Sequence, residues 1–287
     1  MRSLCLFLQI QSNNDTISSV STINNPVLLH KTQKENLMNP YLRNLEKIEF
    51  LITYACTGKC KHCSEGDHSL SGVQIDPEKA ADAVRKIAEQ YWIRTVMTFG
   101  GEPLLYPEAV YQIHKAAKEL GIPKRQVITN GYFSRNPDRI AEVAEGLLQS
   151  GVNDILLSVD AFHQETIPLE PVRIFASEIK KRSVSLRMQP AWLVSAADNN
   201  PYNLRTRELL QWFHGQGIEE NQGNVIFPEG NAKKYLAEYF CGEKIANPYR
   251  ENPYDVKCVS FEPDGSVFGG NLYCADILDI LQEYQPK

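Results

Sequence analysis

"KIEFLITYACTGKCKHC", residues 47–63, joins two unlike patterns. The first eight residues are short, mostly apolar and rich in Ile and Leu, as in a strand covered on both faces. Cys56, Cys60 and Cys63 follow within eight residues. They therefore fall on a loop directly after a strand, and gaps of three and two residues let that loop fold around one inorganic centre.

Working outward, the same kind of apolar run recurs at "RTVMTFG" (94–100), "RQVITNG" (125–131), "DILLSVD" (154–160), "SVSLRMQ" (183–189) and "NVIFP" (224–228). Helical patterns separate them. Asp76 and Pro77 start one in which Ala80, Ala83, Val84, Ile87 and Tyr91 share a face. A second repeats Val110, Ile113, Ala117 and Leu120 before Gly121, and a third runs from Asn136 and Pro137 to Gly151. Leu209, Leu210 and Phe213 mark a fourth, within 202–214. Six strand–helix units in series predict an α/β fold with a parallel sheet, open rather than closed into an eight-fold barrel. In such a sheet the chemistry belongs just after the strands, at their C-terminal ends.

Bulk properties narrow the setting. The chain has 287 residues, 23% charged and 43% hydrophobic, with a net charge of −5. No basic run points to nucleic acid or a membrane surface, and no apolar stretch approaches the roughly 18 residues of a spanning helix. Seven cysteines, an odd number in a long chain, argue against a disulfide scaffold and for a reducing cytoplasm. "MRSLCLFLQI" lacks the small-residue cleavage site of a signal peptide. Residues 1–40 are expected to form a disordered or loosely packed extension, with Met38 as an alternative start. Residues 41–235 would form the core, and 236–287 a short C-terminal appendage.

Zinc sites usually gather four ligands, often from two CxxC pairs. No second pair accompanies the triplet, and His62 lies between Cys60 and Cys63, where it should point away from their common centre. Three thiolates on a four-iron cluster would leave one iron for a small chelating molecule. Cys56-x3-Cys60-x2-Cys63 after the first strand of a six-fold series resembles the radical S-adenosylmethionine (radical SAM) superfamily. The resemblance implies a partial (β/α)6 TIM-like barrel. It implies a [4Fe–4S] cluster on the three cysteines and SAM chelated to the open iron. It further implies one-electron cleavage of SAM to a 5′-deoxyadenosyl radical that abstracts hydrogen from a substrate, with flavodoxin or ferredoxin as electron donor.

Other loops extend the resemblance. Gly100, Gly101, Glu102 and Pro103 match the family's GGEP motif, which implies contact with the methionine amino group of SAM, and His62 would help seat the cofactor. "TNG" would make an ordinary turn by itself, and its likeness to the family's TNG implies that Asn130 lies near SAM. Ser158 and Asp160 alternate on one side of the fourth strand, which suits ribose hydroxyls or, alternatively, a core Ser158 and a helix-capping Asp160. Arg187 either faces SAM or substrate inside the barrel or sits in water at an edge; His163 and Glu165 either meet substrate or are solvated. "FPEGNAKKY" (227–235) resembles a P-x-G-x-A turn of peptide-modifying and cofactor-building members.

"CVSFEPDGSVFGG" (258–270) resembles the opening hairpin of the family's auxiliary-cluster domain, with a turn at Pro263-Asp264-Gly265. Gly269 and Gly270 stand where that pattern puts a cysteine, so Cys241, Cys258 and Cys274 are expected to be ordinary thiols. The sequence thus predicts a radical SAM enzyme, with a peptide or protein as the favoured substrate class. The competing reading is a non-catalytic module, an iron–sulfur redox sensor or zinc-stabilised scaffold.

Overall fold

Apolar side chains on alternate residues decide which face of each strand meets the helices. In the computed structural model, which describes residues 38–66, 72–240 and 245–287, β1 (Lys47–Leu51), β2 (Thr95–Phe99), β3 (Lys124–Thr129), β4 (Asp154–Leu157) and β5 (Ser185–Met188) pair side by side in parallel. Ile48, Phe50, Val96, Val127, Ile155, Leu157 and Met188 join one core with helix residues. Glu49, Met97, Gln126, Leu156 and Arg187 take the alternate positions and face inward. The strands are thus apolar on the helix side, and several carry polar groups on the other, where the sequence suggested strands mostly apolar throughout.

The helices are α1 (Pro77–Gln90), α2 (Pro107–Glu119), α3 (Pro137–Ser150), a single turn α4 (Ala161–Gln164), α5 (Leu169–Lys181) and α6 (Pro201–Gly215). Asp76, Asn136 and Asn200 cap α1, α3 and α6 by accepting from their first-turn N–H groups, each before a proline at the first helical position.

Beyond β5 the pattern departs from expectation. The chain leaves the sheet at Gln189 and resumes as β6 (Ala191–Trp192). After α6, β7 (Glu219–Glu220) pairs with β5, and β8 (Asn224–Val225) pairs with β6 in a separate two-stranded sheet. The expected sixth strand at 224–228 is therefore only the upper piece of a broken strand. The helix α7 (Gly230–Tyr235) follows it.

The C-terminal segment is also part of the sheet. β9 (Cys258–Phe261) pairs in parallel with β1, giving seven strands in the order β7-β5-β4-β3-β2-β1-β9. Phe261 stacks on Phe50 at 4.7 Å, which explains why "CVSF" joins the sheet rather than only a hairpin. The expected turn at Pro263-Asp264-Gly265 is present, with Gly265 at φ +83° and Glu262 N–H donating to Ser266 O at 3.0 Å. The next strands, β10 (Ser266–Val267) and β11 (Gly270–Asn271), pair with each other instead. A last helix, α8 (Ile277–Glu283), closes the chain onto α1 through Lys86 and Asp276. Residues Met38–Lys287 make one compact unit.

Candidate functional site

The loop after β1 is gripped from two sides. On one side Gly101 N–H donates to Thr53 O and Glu102 N–H to Ala55 O, both at 2.8 Å. A Cβ on Gly101 would lie 2.2 Å from Ala55 O, so only glycine permits this approach. Asn130, at the end of β3, donates its amide to Cys56 Sγ at 3.6 Å and Thr57 Oγ1 at 3.2 Å. On the other side Asn231 N–H donates to Cys63 O at 2.8 Å, and its side-chain amide to Cys60 O at 3.2 Å and Gly66 O at 3.3 Å. Gly230, at φ +52°, brings its backbone against this loop; a Cβ there would lie 2.3 Å from Ser64 O. The "PEGNA" turn thus holds the cysteine loop. Its likeness to a known turn was legible, but the role of Asn231 needed the fold to bring residues 171 apart together.

All three thiols are shielded, Cys60 fully and Cys56 and Cys63 in part. Burial pushes Cys56 up to about 12, Cys60 further still, and Cys63 in the same direction. N–H donors oppose this: Gly58 N–H reaches Cys56 Sγ at 3.3 Å, and the Glu65 and Gly66 amides favour the Cys63 thiolate. A bound cationic centre would favour the thiolate forms that burial disfavours. Three clustered sulfurs, two of them already met by N–H donors, fit the ligand set of an iron–sulfur cluster.

The remaining predicted residues fall into place unevenly. Gly100, at φ +149°, keeps its backbone beside Thr53. Pro103 opens a 3-10 turn, Pro103–Leu105. Glu102 is fully buried, and its carboxylate accepts from Thr129 Oγ1 at 2.7 Å, Leu104 N–H at 2.9 Å and Asn130 N–H at 2.8 Å. Burial outweighs these donors and pushes its carboxyl up to about 7. It ties the loops after β2 and β3, so any ligand contact from "GGEP" rests on main-chain groups. Ser158 is half-buried on the inner face, and its hydroxyl has no hydrogen bond among the described residues.

Two placements differ from the expectation of cofactor contact. Asp160 is fully buried; it caps α4 at His163 N–H (2.9 Å), binds His163 Nδ1 (2.8 Å) and accepts from Ala191 N–H (3.0 Å). Burial pushes its carboxyl up, but the His163 imidazole and these bonds win and hold it down at about 2. Both its oxygens are engaged within the protein, which favours the helix-cap alternative over ribose contact. Arg187 faces inward but pairs with Asp154, Nη2 lying 2.8 Å from each carboxylate oxygen.

His62 packs between Phe162 at 5.1 Å and His163 at 4.8 Å. Burial lowers it to about 4, so the ring is neutral at pH 7, and its Nδ1 has no partner among the described residues. A ligand atom of each of Cys60, His62 and His163 lies within 4.8 Å of the others. The sequence left His163 undecided; the structure makes it the link between Asp160 and His62. Cys258 is buried at the start of β9 and Cys274 is exposed before α8. Cys5, Cys241 and residues 1–37 of the extension expected over 1–40 lie outside the described residues; Asn39, at the end of that stretch, is instead buried and donates to Leu281 O at 3.1 Å.

Known proteins resemble the chain in sequence or in fold. Over 234 residues the chain is 26% identical to the GTP 3′,8-cyclase of Picosynechococcus sp., covering 80% of this chain and 59% of that protein. Over 124 residues it is 33% identical to a probable GTP 3′,8-cyclase of Sulfolobus acidocaldarius, covering 42% of this chain and 36% of that one. It therefore spans roughly a third to three fifths of these relatives' length. In fold it resembles Streptococcus suis SuiB bound to precursor peptide SuiA, with a TM-score of 0.56 at 15% identity, covering 96% of this chain and 73% of SuiB. Residues 50–188, from β1 to the end of β5, match the radical SAM superfamily.

Proposed function

We propose that the chain is a radical SAM enzyme whose Cys56, Cys60 and Cys63 hold a [4Fe–4S] cluster beside the "GGEP" loop. The observation that carries this is the two-sided grip on the cysteine loop, with N–H donors aimed at the sulfurs of Cys56 and Cys63. When bound, the cluster supplies the electron that converts SAM into methionine and a 5′-deoxyadenosyl radical, and that radical takes hydrogen from the substrate.

The chain's own residues orient and shield. Main-chain groups of Gly100, Gly101 and Glu102 present polar atoms to the SAM amino group, while the buried Glu102 carboxylate fixes that loop against Asn130. Ser158 offers a hydroxyl on the inner face to the ribose. His62, neutral and stacked beside Phe162, supplies a flat apolar side next to Cys60. A peptide or protein is the favoured substrate class, supported by the "PEGNA" turn and "EPDG" turn. A nucleotide is the second reading, supported by the relatives named GTP 3′,8-cyclase. A flavodoxin or ferredoxin in a reducing cytoplasm fits as the electron donor; no helix among the described residues is long and apolar enough to cross a membrane.

Anaerobic reconstitution with iron and sulfide, followed by SAM and dithionite, should yield 5′-deoxyadenosine. An intact four-iron cluster that yields none, with Cys56→Ala changing only metal content, would favour the redox-sensor reading. Zinc retained on Cys60, His62 and His163 in place of iron would favour the scaffold.

A further inference from the structure

On the inner face, Arg187, Asn221, Gln189, Asn224 and Tyr249 form one hydrogen-bonded file along β5, β7 and β8. Arg187 Nη1 donates to Asn221 Oδ1 at 3.3 Å, Asn221 Nδ2 donates to Gln189 Oε1, and Gln189 Nε2 donates to Asn224 Oδ1 at 2.9 Å. The Tyr249 hydroxyl donates to the same Asn224 oxygen. Amide orientation is often a matter of choice, but here Arg187 removes the choice. A guanidinium has no acceptor, so Asn221 must turn its oxygen toward it and its NH2 away. That NH2 requires the oxygen of Gln189, whose NH2 in turn requires the oxygen of Asn224.

The file therefore has a polarity. Every amide oxygen in it already accepts, Asn224 Oδ1 from two donors, and four N–H hydrogens are left over: both on Nδ2 of Asn224, which makes no hydrogen bond among the described residues, and one each on Gln189 and Asn221. Asp154 neutralises Arg187 from below, with Lys124 at 3.4 Å beside it. Arg187 keeps 29% of its side chain exposed although it sits within a strand, so water reaches this wall. Beside Arg187, Leu156, Ile128, Phe99 and Leu51 give an apolar row across the neighbouring strands, next to a layer of Glu49, Met97, Gln126 and Asp154.

We propose that this file is a substrate subsite for acceptor oxygens, a carboxylate or carbonyl of a peptide, with the carbon skeleton against the apolar wall. The proposal rests on the enzyme reading above and adds what the substrate must carry. With four free N–H hydrogens and amide oxygens that already accept, the wall favours an oxygen acceptor over an ammonium group, which would have to compete for lone pairs already engaged.

The test uses calorimetry on the reconstituted, SAM-loaded full chain with three probes: an acetylated tripeptide amide with a central glutamate, its central-lysine counterpart, and GTP. The glutamate peptide should bind at least about tenfold more tightly than the lysine peptide. Asn224→Asp, which replaces the free donors by acceptors, should cost it about tenfold more, and Asn224→Ala several-fold, while the Kd for SAM stays unchanged. GTP binding that Asn224→Asp weakens, with neither peptide bound, keeps the donor wall and overturns the peptide class. Equal binding of both peptides, no binding of any probe, or an Asn224→Asp effect on SAM rather than on the probes overturns the subsite. Circular dichroism confirms that each variant is folded.

Discussion

The two halves of the sheet follow the same parallel pairing but not the same geometry. From β1 to β4 each strand is one unbroken piece of four to six residues. The next two strand positions break: β5 resumes as β6 after Gln189 and Pro190, and β7 resumes as β8 after Asn221, Gln222 and Gly223. Proline cannot donate to a ladder, and Gly223, at φ +73°, turns where a Cβ would lie 2.5 Å from Pro190 O. The unbroken half delivers short loops that grip the first part of the cysteine loop. The broken half lifts its upper strands out of the main sheet, so that α7 returns to grip the last part and side-chain amides face inward. One half grips the start of the cysteine loop; the other both completes that grip and lines the inner wall.

The sharpest way to break this division is to disturb the cysteine loop from each side. Cys60→Ser should reduce bound iron to background and abolish 5′-deoxyadenosine formation, measured by iron assay and chromatography. Gly101→Ala, from the unbroken half, and Gly230→Ala, from the broken half, should each lower iron retention severalfold, because each new Cβ meets a loop carbonyl at 2.2–2.3 Å. If Gly230→Ala retains iron as well as the native chain, α7 only covers the site and does not hold it.

Asp160 links the halves: it sits just after β4 and accepts from Ala191 at the start of β6. Asp160→Ala leaves three donors without their acceptor, so it should destabilise the protein by about 3–5 kcal/mol in urea unfolding. Its carboxyl lies at about 2, below the ordinary value. The stability it contributes is thus complete above about pH 4 and lost as pH falls toward about 2.

Glu102, wholly in the unbroken half, has the opposite sign. Its carboxyl is raised to about 7, so between about pH 4.5 and 7 the folded state holds a proton that the unfolded chain has released. Stability should fall as pH rises through that window, by at most about 3 kcal/mol, and Glu102→Gln should remove the slope. Unfolding of the two proteins compared at about pH 5 and 8 measures it.

The same contrast explains what could be read from the sequence. β1 to β4 were legible because their helix-side residues form unbroken apolar runs bounded by clear caps such as Asp76 and Asn136. The cysteines and "GGEP" were legible because each needs only its own loop. The helix α5 was not assigned, since Pro168 precedes it and gives no side-chain cap. β7 is two glutamates, Glu219 and Glu220, a pair that no strand propensity favours. Asp160 and Arg187 looked like ligand groups because a charge in an apolar run signals function or pairing equally. Only the fold shows that their partners are His163 and Asp154.

Helix caps give the finest probe. Asn136 caps α3 through one bond, to Asp138 N–H at 2.9 Å, so Asn136→Ala should cost about 1 kcal/mol. Asn200 caps α6 through Asn203 N–H at 2.9 Å and also donates to Leu193 O at 3.1 Å. That second bond pins a loop whose Val194 holds φ +68°, a costly conformation for a β-branched residue. The fully buried Asn203 ties the same loop at Leu193, Ser195 and Asp198. Asn200→Ala should therefore cost roughly twice as much as Asn136→Ala, about 2 kcal/mol. It should also raise amide exchange at residues 193–198, whereas Asn136→Ala should leave exchange outside α3 unchanged. Equal costs and no change at 193–198 would mean that the loop above β6 is held by Asn203 alone, and that the broken half depends on its caps no more than the unbroken one.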